Sequence, residues 1–216
     1  MSHQSRVAAA LVIGMLGSLV VMALHPTGGD VVAAAEMGGR DAMARGIHAL
    51  AIGLQPLLVA GYLGLALSLP QRDTAVLGIV TYGLGTCAVM MAAVLSGLVI
   101  TPLLEGTVGA DDGTRRMLEA QIRLAFSMNQ SLTKVFVALA GVAIGCWSMA
   151  MRGDDRFPAL LRMLGIGVAV VGVGGIVTGR IALDIQGFGL VVLVQAVWTC
   201  WAAARLVMGG GAARST

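Results

Sequence analysis

Two of the three histidines in this chain, His25 and His48, flank one connection that also carries Asp30, Glu36 and Asp41. Imidazole is the side chain that ligates metals or moves protons near neutral pH. Imidazoles beside carboxylates form a donor set for a divalent transition metal, with His25, His48 and Asp30 as candidate ligands. Two imidazoles approaching an iron from opposite faces would instead hold a haem. The spacing matches no metal motif, so three readings stand together. They are a metal or haem site, an outward-facing proton or ligand site, and ordinary capping, because His25-Pro26-Thr27-Gly28-Gly29-Asp30 also reads as a turn that ends a helix.

His48, Gln55 and Tyr62 recur at intervals of seven, which on a helix keeps them on one face with a drift of only about 20° per heptad. Polar groups are costly in lipid, so this stripe is expected to face the inside of a bundle, as hydrogen-bonding ties between helices or as the lining of a pocket. Further polar residues stand four apart: Glu119 with Arg123, Asn129 with Thr133, Gln130 with Lys134, and Arg180 with Asp184. One reading makes them surface and interfacial ion pairs. The sharper one joins them to the histidines around a cavity lined by His25, His48, Gln55, Tyr62, Arg123, Asn129 and Lys134, with Arg123 and Lys134 giving it a preference for anions.

The elements that must position these residues are set by composition. The chain has 216 residues, 57% of them hydrophobic and only 12% charged, with a positive mean hydropathy, a combination foreign to water-soluble domains. A bilayer core about 30 Å thick needs about 20 apolar residues per helix. Stretches of that length recur near 7–25, 47–69, 75–103, 131–151, 159–179 and 185–207. The expectation is a single all-α membrane domain of six transmembrane helices over residues 1–216, with short interfacial helices in the first and third connections. The first span reads as a helix rather than a cleaved signal peptide. Its apolar run is longer than such a peptide uses, and the small residues Ala33-Ala34-Ala35 lie far beyond its end.

An even number of spans puts both termini on one side. That side carries compact basic flanks at Arg152, Arg156 and Arg162, and the other carries most of the acids. Both termini are therefore expected in the cytoplasm, in a bacterial cytoplasmic membrane. Trp147, Trp198 and Trp201 then fall toward the cytoplasmic helix ends, where an aromatic belt is expected. Two connections on the outer side are long. The first has an Ala-rich segment broken at Gly38-Gly39, and the second becomes helical near Thr114 and runs on into the fourth span. No duplication of the first three spans in the last three is evident, which weakens a transporter built from inverted repeats.

Much of the glycine, 31 residues in all, lies inside spans, where it lets helices approach closely. Gly165, Gly172 and Gly179 form a stripe, and Gly141 with Gly145 a small-xxx-small pair, suited to packing within the bundle or to a homo-oligomer or membrane partner. Pro56 stands inside the second span and predicts a kink. Cys87, Cys146 and Cys200 all fall within spans and read as packing residues. With a net charge of +3 and no basic run, nucleic-acid binding is excluded. No Walker loop, HExxH, GxSxG, paired CxxC or dinucleotide fingerprint is present, so motif-based routes to several enzyme classes are closed.

The final third, with Pro158-Ala159-Leu160-Leu161 entering a Gly-rich span, Gln186-Gly187 at the next outer entry and Trp198 in the last helix, resembles small uncharacterised six-span bacterial integral membrane proteins. That resemblance implies the fold and carries no catalytic residues across. A non-enzymatic structural, accessory or regulatory role accounts best for the missing motifs. A small transporter or ligand-binding protein with an outward-facing polar cavity is the alternative, and a haem- or metal-binding protein using His25 and His48 is the third.

Overall fold

The computed structural model describes residues 1–26, 28–37, 42–180, 183 and 185–212. Among them there is no strand, and six helices are long and apolar enough to cross a membrane. The chain runs through α1 (His3–Ala23), a short α2 (Gly28–Glu36), α3 (Ala42–Leu67), α4 (Arg72–Val94), a π-helical stretch Leu95–Ile100, α5 (Thr101–Glu105), α6 (Asp112–Ala150), α7 (Ala159–Val177) and α8 (Ile185–Ala212). α4, the π stretch and α5 are continuous, forming one 34-residue helix over Arg72–Glu105. Asp41, the Gly38-Gly39 break and Asp184 at the entry to the last helix lie outside the described residues.

Local chemistry sets the boundaries. The Ser2 hydroxyl accepts the Ser5 amide at 3.1 Å and opens α1. α3 stops before Pro70, and the Ser68 hydroxyl takes up the Leu65 carbonyl at 2.7 Å. The Asp111 carboxylate accepts the amides of Gly113 and Thr114 at 2.9 and 3.0 Å and the Thr114 hydroxyl at 2.7 Å, capping α6. Those bonds, the Thr114 hydroxyl first, hold its carboxyl below the usual carboxylate range. α7 ends at Gly179, whose φ of 67° lets the Arg180 amide reach back to the Gly175 carbonyl at 2.9 Å.

In the third connection the chain becomes helical at Asp112 and runs on into the next long helix, as expected. α6 is unbroken over 39 residues, about 58 Å at 1.5 Å per residue, so its first turns extend a span rather than lie apart from it. In the first connection α2 is a separate short helix, as expected.

The long helices form a ring: α1 packs on α3 and α8, α4 on α3 and α6, and α7 on α6, with light contact from α7 to α8 closing the circle. Glycines permit the close crossings. A methyl added at Gly145 would meet Ala169 Cβ at 2.9 Å, and one at Gly61 would meet Leu11 at 2.9 Å. Of the predicted glycine stripe, Gly165 lies under Ser148 and Trp198, Gly172 is looser, and Gly179 serves the turn.

The end of the bundle that holds the N-terminus and the α3–α4 and α6–α7 turns is filled by aromatic side chains. Tyr62 stacks on Trp147 with ring centroids 4.4 Å apart, Trp147 lies 6.3 Å from Trp198, and Tyr82 leans on Tyr62 at 4.5 Å. Two polar pairs cross between helices: the Trp147 indole donates to the Ala75 carbonyl at 3.2 Å, and the Tyr62 and Thr199 hydroxyls bond at 2.6 Å, whereas the Trp198 indole nitrogen and the Ser148 hydroxyl have no partner among the described residues. This overturns the aromatic-belt expectation for two of the three tryptophans. Trp147 and Trp198 are fully buried, because a flat ring facing three other rings fills the core better than it fills an interface. Trp201 is half-buried.

The turn at this end is locked by Arg156. Its guanidinium donates to both Asp154 carboxylate oxygens and to the Ser68 carbonyl, and Arg205 donates to the Arg156 carbonyl at 2.6 Å. The hydrogen bonds from Arg156 hold the Asp154 carboxyl below the usual carboxylate range. Arg156, expected as part of a basic flank, therefore ties the α6–α7 turn to the end of α3 and to Arg205 of α8.

Candidate ligand-binding site

At the opposite, loop-rich end the ring stays open around a cavity of about 700 Å³. That size falls within the range of small-molecule sites. α1 contributes Val21 and Met22 followed by His25, α3 contributes His48 and Ala51, α4 contributes Val89 and Ala92, and α6 contributes Phe126, Asn129, Gln130 and Thr133. Val31 of α2 lies across it, and Leu183, Gln186 and Phe188 close it from the last connection.

The fourth wall is built by an irregular helix. Pro102 has no amide to give, and its ring crowds the carbonyl four residues back, so regular bonding fails there. The chain answers by widening the turn. The Thr101 amide bonds to the Ser96 carbonyl five residues earlier, and the Thr101 hydroxyl adds a bond to the same oxygen at 3.1 Å. Gly97, within this stretch, lets His48 pack close against the backbone: a methyl at 97 would sit 2.5 Å from His48 Cβ and 2.7 Å from Cγ. One turn earlier the Asn129 amide donates to the Ala92 carbonyl at 2.7 Å and ties α6 to this wall.

His25 and His48 meet, with ring centroids 4.9 Å apart and planes at 75°. His48 Nδ1 lies 2.6 Å from the Ala44 carbonyl and His25 Nδ1 lies 3.0 Å from the Pro26 carbonyl. A carbonyl can only accept, so both Nδ1 atoms carry a proton. His48 is 5% exposed, and its Nε2 has no partner. Burial first, and the neighbouring His48 second, push the His25 imidazole below the ordinary histidine range against its bond to Pro26.

The remaining sequence candidates are distributed differently. Gln55 and Tyr62 share the buried face of α3 with His48 but do not line the cavity. The Gln55 amide donates to the Ala51 carbonyl at 3.3 Å and its Oε1 is unpartnered, while Tyr62 belongs to the aromatic core. Asn129 lines the cavity. Arg123 is 72% exposed and pairs with Glu119 at 3.8 Å, and Lys134 is exposed, so neither cation lines it. Among the described residues no three His, Cys, Asp or Glu side chains gather as a metal site, so Asp30 does not join the histidine pair. Nor does the pair straddle a porphyrin. Opposed ligands with metal–nitrogen bonds of about 2 Å would hold their rings about 6 Å apart and end-on, whereas these meet edge to face at 4.9 Å.

Sequence reasoning missed the wall and the rim. Ser96, Gly97 and Thr101 carry no charge, and the signal that could have found them is Pro102 inside an uncharged run. At the rim Arg45 donates to both Glu105 oxygens, at 2.7 and 2.5 Å, joining the start of α3 to the end of α5 across 60 residues.

Comparison with protein families, with curated proteins and with solved structures found no match to this chain.

Proposed function

We propose that this protein spans a membrane as a six-helix bundle and binds a small amphiphilic molecule in the cavity at its loop-rich end. The observation that carries the reading is the cavity of about 700 Å³, whose mostly apolar walls also present His25, Ser96, Asn129, Gln130 and Gln186. Convergent polar atoms in an apolar cleft are the general signature of ligand sites. The role is binding or carriage, and no reaction is assigned to it.

The setting is the bacterial cytoplasmic membrane with both termini in the cytoplasm, supported by Arg6, Arg72, Arg152 and Arg162 at the termini end. The cavity then faces outward. A green fluorescent protein fused after Thr216 should fluoresce in a bacterial host; a dark fusion with an active alkaline phosphatase in its place would reverse the orientation.

The binding reading is tested by mass spectrometry of the protein purified from bacterial membranes in mild detergent. Wild type should carry one small amphiphile per chain, and Ser96→Trp, which fills the cavity, should lose it. The milder Ala93→Leu serves if the tryptophan variant does not fold. Identical bound molecules in wild type and a folded filled variant would overturn the reading.

A further inference from the structure

A second recess lies away from the histidine cavity, on the flank of the bundle where α7 meets α8. Glycine makes room for it. Gly167 and Gly172 of α7 line a space that longer side chains would fill, and a methyl added at Gly167 would meet no atom within 4 Å. α7 touches α8 only lightly and packs on α6 instead. The result is a notch of about 560 Å³, with Val137 and Gly141 of α6 as its floor and α7 and α8 as its sides. It opens outward, since Val171 and Leu190 on its two lips are 66% and 61% exposed.

The walls are apolar except at one end. Gln195, deep in the notch, is only 5% exposed, so the polar group the notch presents is Arg180. α7 spans Ala159–Val177, about 28 Å at 1.5 Å per residue, which matches the hydrocarbon core and sets Arg180, just past its end, at headgroup depth. The Arg180 amide is held by the Gly175 carbonyl, while its side chain is exposed and has no ion-pair partner among the described residues. From Leu164 to the end of α7 the notch rises about 20 Å, more than the roughly 15 Å that the chains of one leaflet fill. An unpaired cation at the mouth of an apolar notch of acyl-chain length complements an anionic lipid, whose phosphate and tail are spaced in the same way. A second copy of the chain is the poorer occupant. Inserted in the same orientation, it would bring its own Arg180 to the same depth and set like charge against like.

We propose that this notch is a specific site for an anionic glycerophospholipid, with one acyl chain held between α7 and α8 against α6 and the phosphate on Arg180. The site rests on the membrane-spanning reading of the six helices and is independent of the histidine cavity. A boundary lipid elsewhere touches a helix face from one side, whereas here three helices surround the chain. Native mass spectrometry of the full-length, delipidated protein in mild detergent is the direct test, with dioleoyl phosphatidylglycerol and dioleoyl phosphatidylcholine titrated in turn.

Wild type should bind its first phosphatidylglycerol about fivefold more tightly than its first phosphatidylcholine, the worth of one arginine beside an anionic headgroup. Arg180→Gln should bring the two affinities together with both lipids still bound. Gly167→Leu, which fills the notch, should weaken the first binding step of both lipids by about tenfold, through lost chain contacts. Val171→Trp does the same from the lip if the leucine variant does not fold. Ser96→Trp, which fills the histidine cavity, should change neither affinity. Equal affinities in wild type, a preference that survives Arg180→Gln, or a first site untouched in the folded notch variants would overturn the proposal. So would loss of the site in Ser96→Trp, which would move the lipid to the cavity. A wild-type dimer that Gly167→Leu converts to a monomer would seat a second copy in the notch and overturn it as well.

Discussion

The two ends of the bundle are built from the same kinds of helix and reach opposite results. At the termini end Trp147, Trp198, Tyr62 and Tyr82 fill the space between four helices, and the indole of Trp147 and the hydroxyl of Tyr62 find partners. At the loop-rich end Pro102 breaks the regular bonding of one helix, Gly97 admits His48 against it, and a cavity of about 700 Å³ stays open. Close ring packing fills one end, while small residues and an irregular helix leave a cavity at the other. The difference is one of packing, because hydrophobicity alone does not distinguish the two ends of a membrane helix.

The comparison breaks most visibly at Trp147. Trp147→Ala should cost about 3–5 kcal/mol, since it removes the ring that three neighbours stack on and orphans the Ala75 carbonyl; thermal unfolding in detergent should show the largest fall of any single variant. At the loop-rich end the corresponding strut is the Arg45–Glu105 pair. Glu105→Ala should cost about 1–2 kcal/mol, discounted because the Arg45 side chain is 32% exposed. It should also loosen the cavity, read as faster hydrogen exchange in α2 and α5.

A smaller effect comes from pH. The His25 imidazole is held below its ordinary value, so the folded state resists protonation more than the unfolded chain does. As pH falls below about 6.5, the unfolded state takes up the proton first and stability drops, until the folded pKa is also passed. Wild type should therefore be less stable at pH 5 than at pH 7.5, and His25→Gln should flatten that slope. An unchanged slope in the variant would remove His25 from the explanation. The smallest effect is expected at Asp111, which caps α6 from an exposed position. Asp111→Ala should fray the first turn of α6, seen as faster exchange of the Gly113 and Thr114 amides, with binding in the cavity unchanged.

The sequence made the helical scaffold legible because charge-free stretches of bilayer length leave little choice of architecture. The convergence of His25 and His48 was legible for a similar reason: one ends a helix and the other begins the next, so topology alone brings them to one end. Asn129 was singled out by its helical spacing and does line the cavity. Arg123 and Lys134 are on the same helix but outside the cavity, because spacing by four identifies neighbours along a helix and not the direction in which their shared face points. Trp147 and Trp198 lie at the termini end but are buried in the core, since residue type and depth do not reveal whether a ring faces lipid or other rings. The π stretch was invisible to apolar periodicity, and its one marker, Pro102, resembles an ordinary helix-ending residue.

The contrast between an open and a filled end is tested most directly by thiol accessibility. In a background with Cys87, Cys146 and Cys200 replaced by alanine, Ala93→Cys would place a thiol in the cavity and Ala140→Cys one in the core, where Ala140 is fully buried. With a small water-soluble methanethiosulfonate applied to folded protein in nanodiscs, the cavity thiol should react at least about tenfold faster than the core thiol. Equal rates, or a cavity thiol as protected as the core one, would contradict the account.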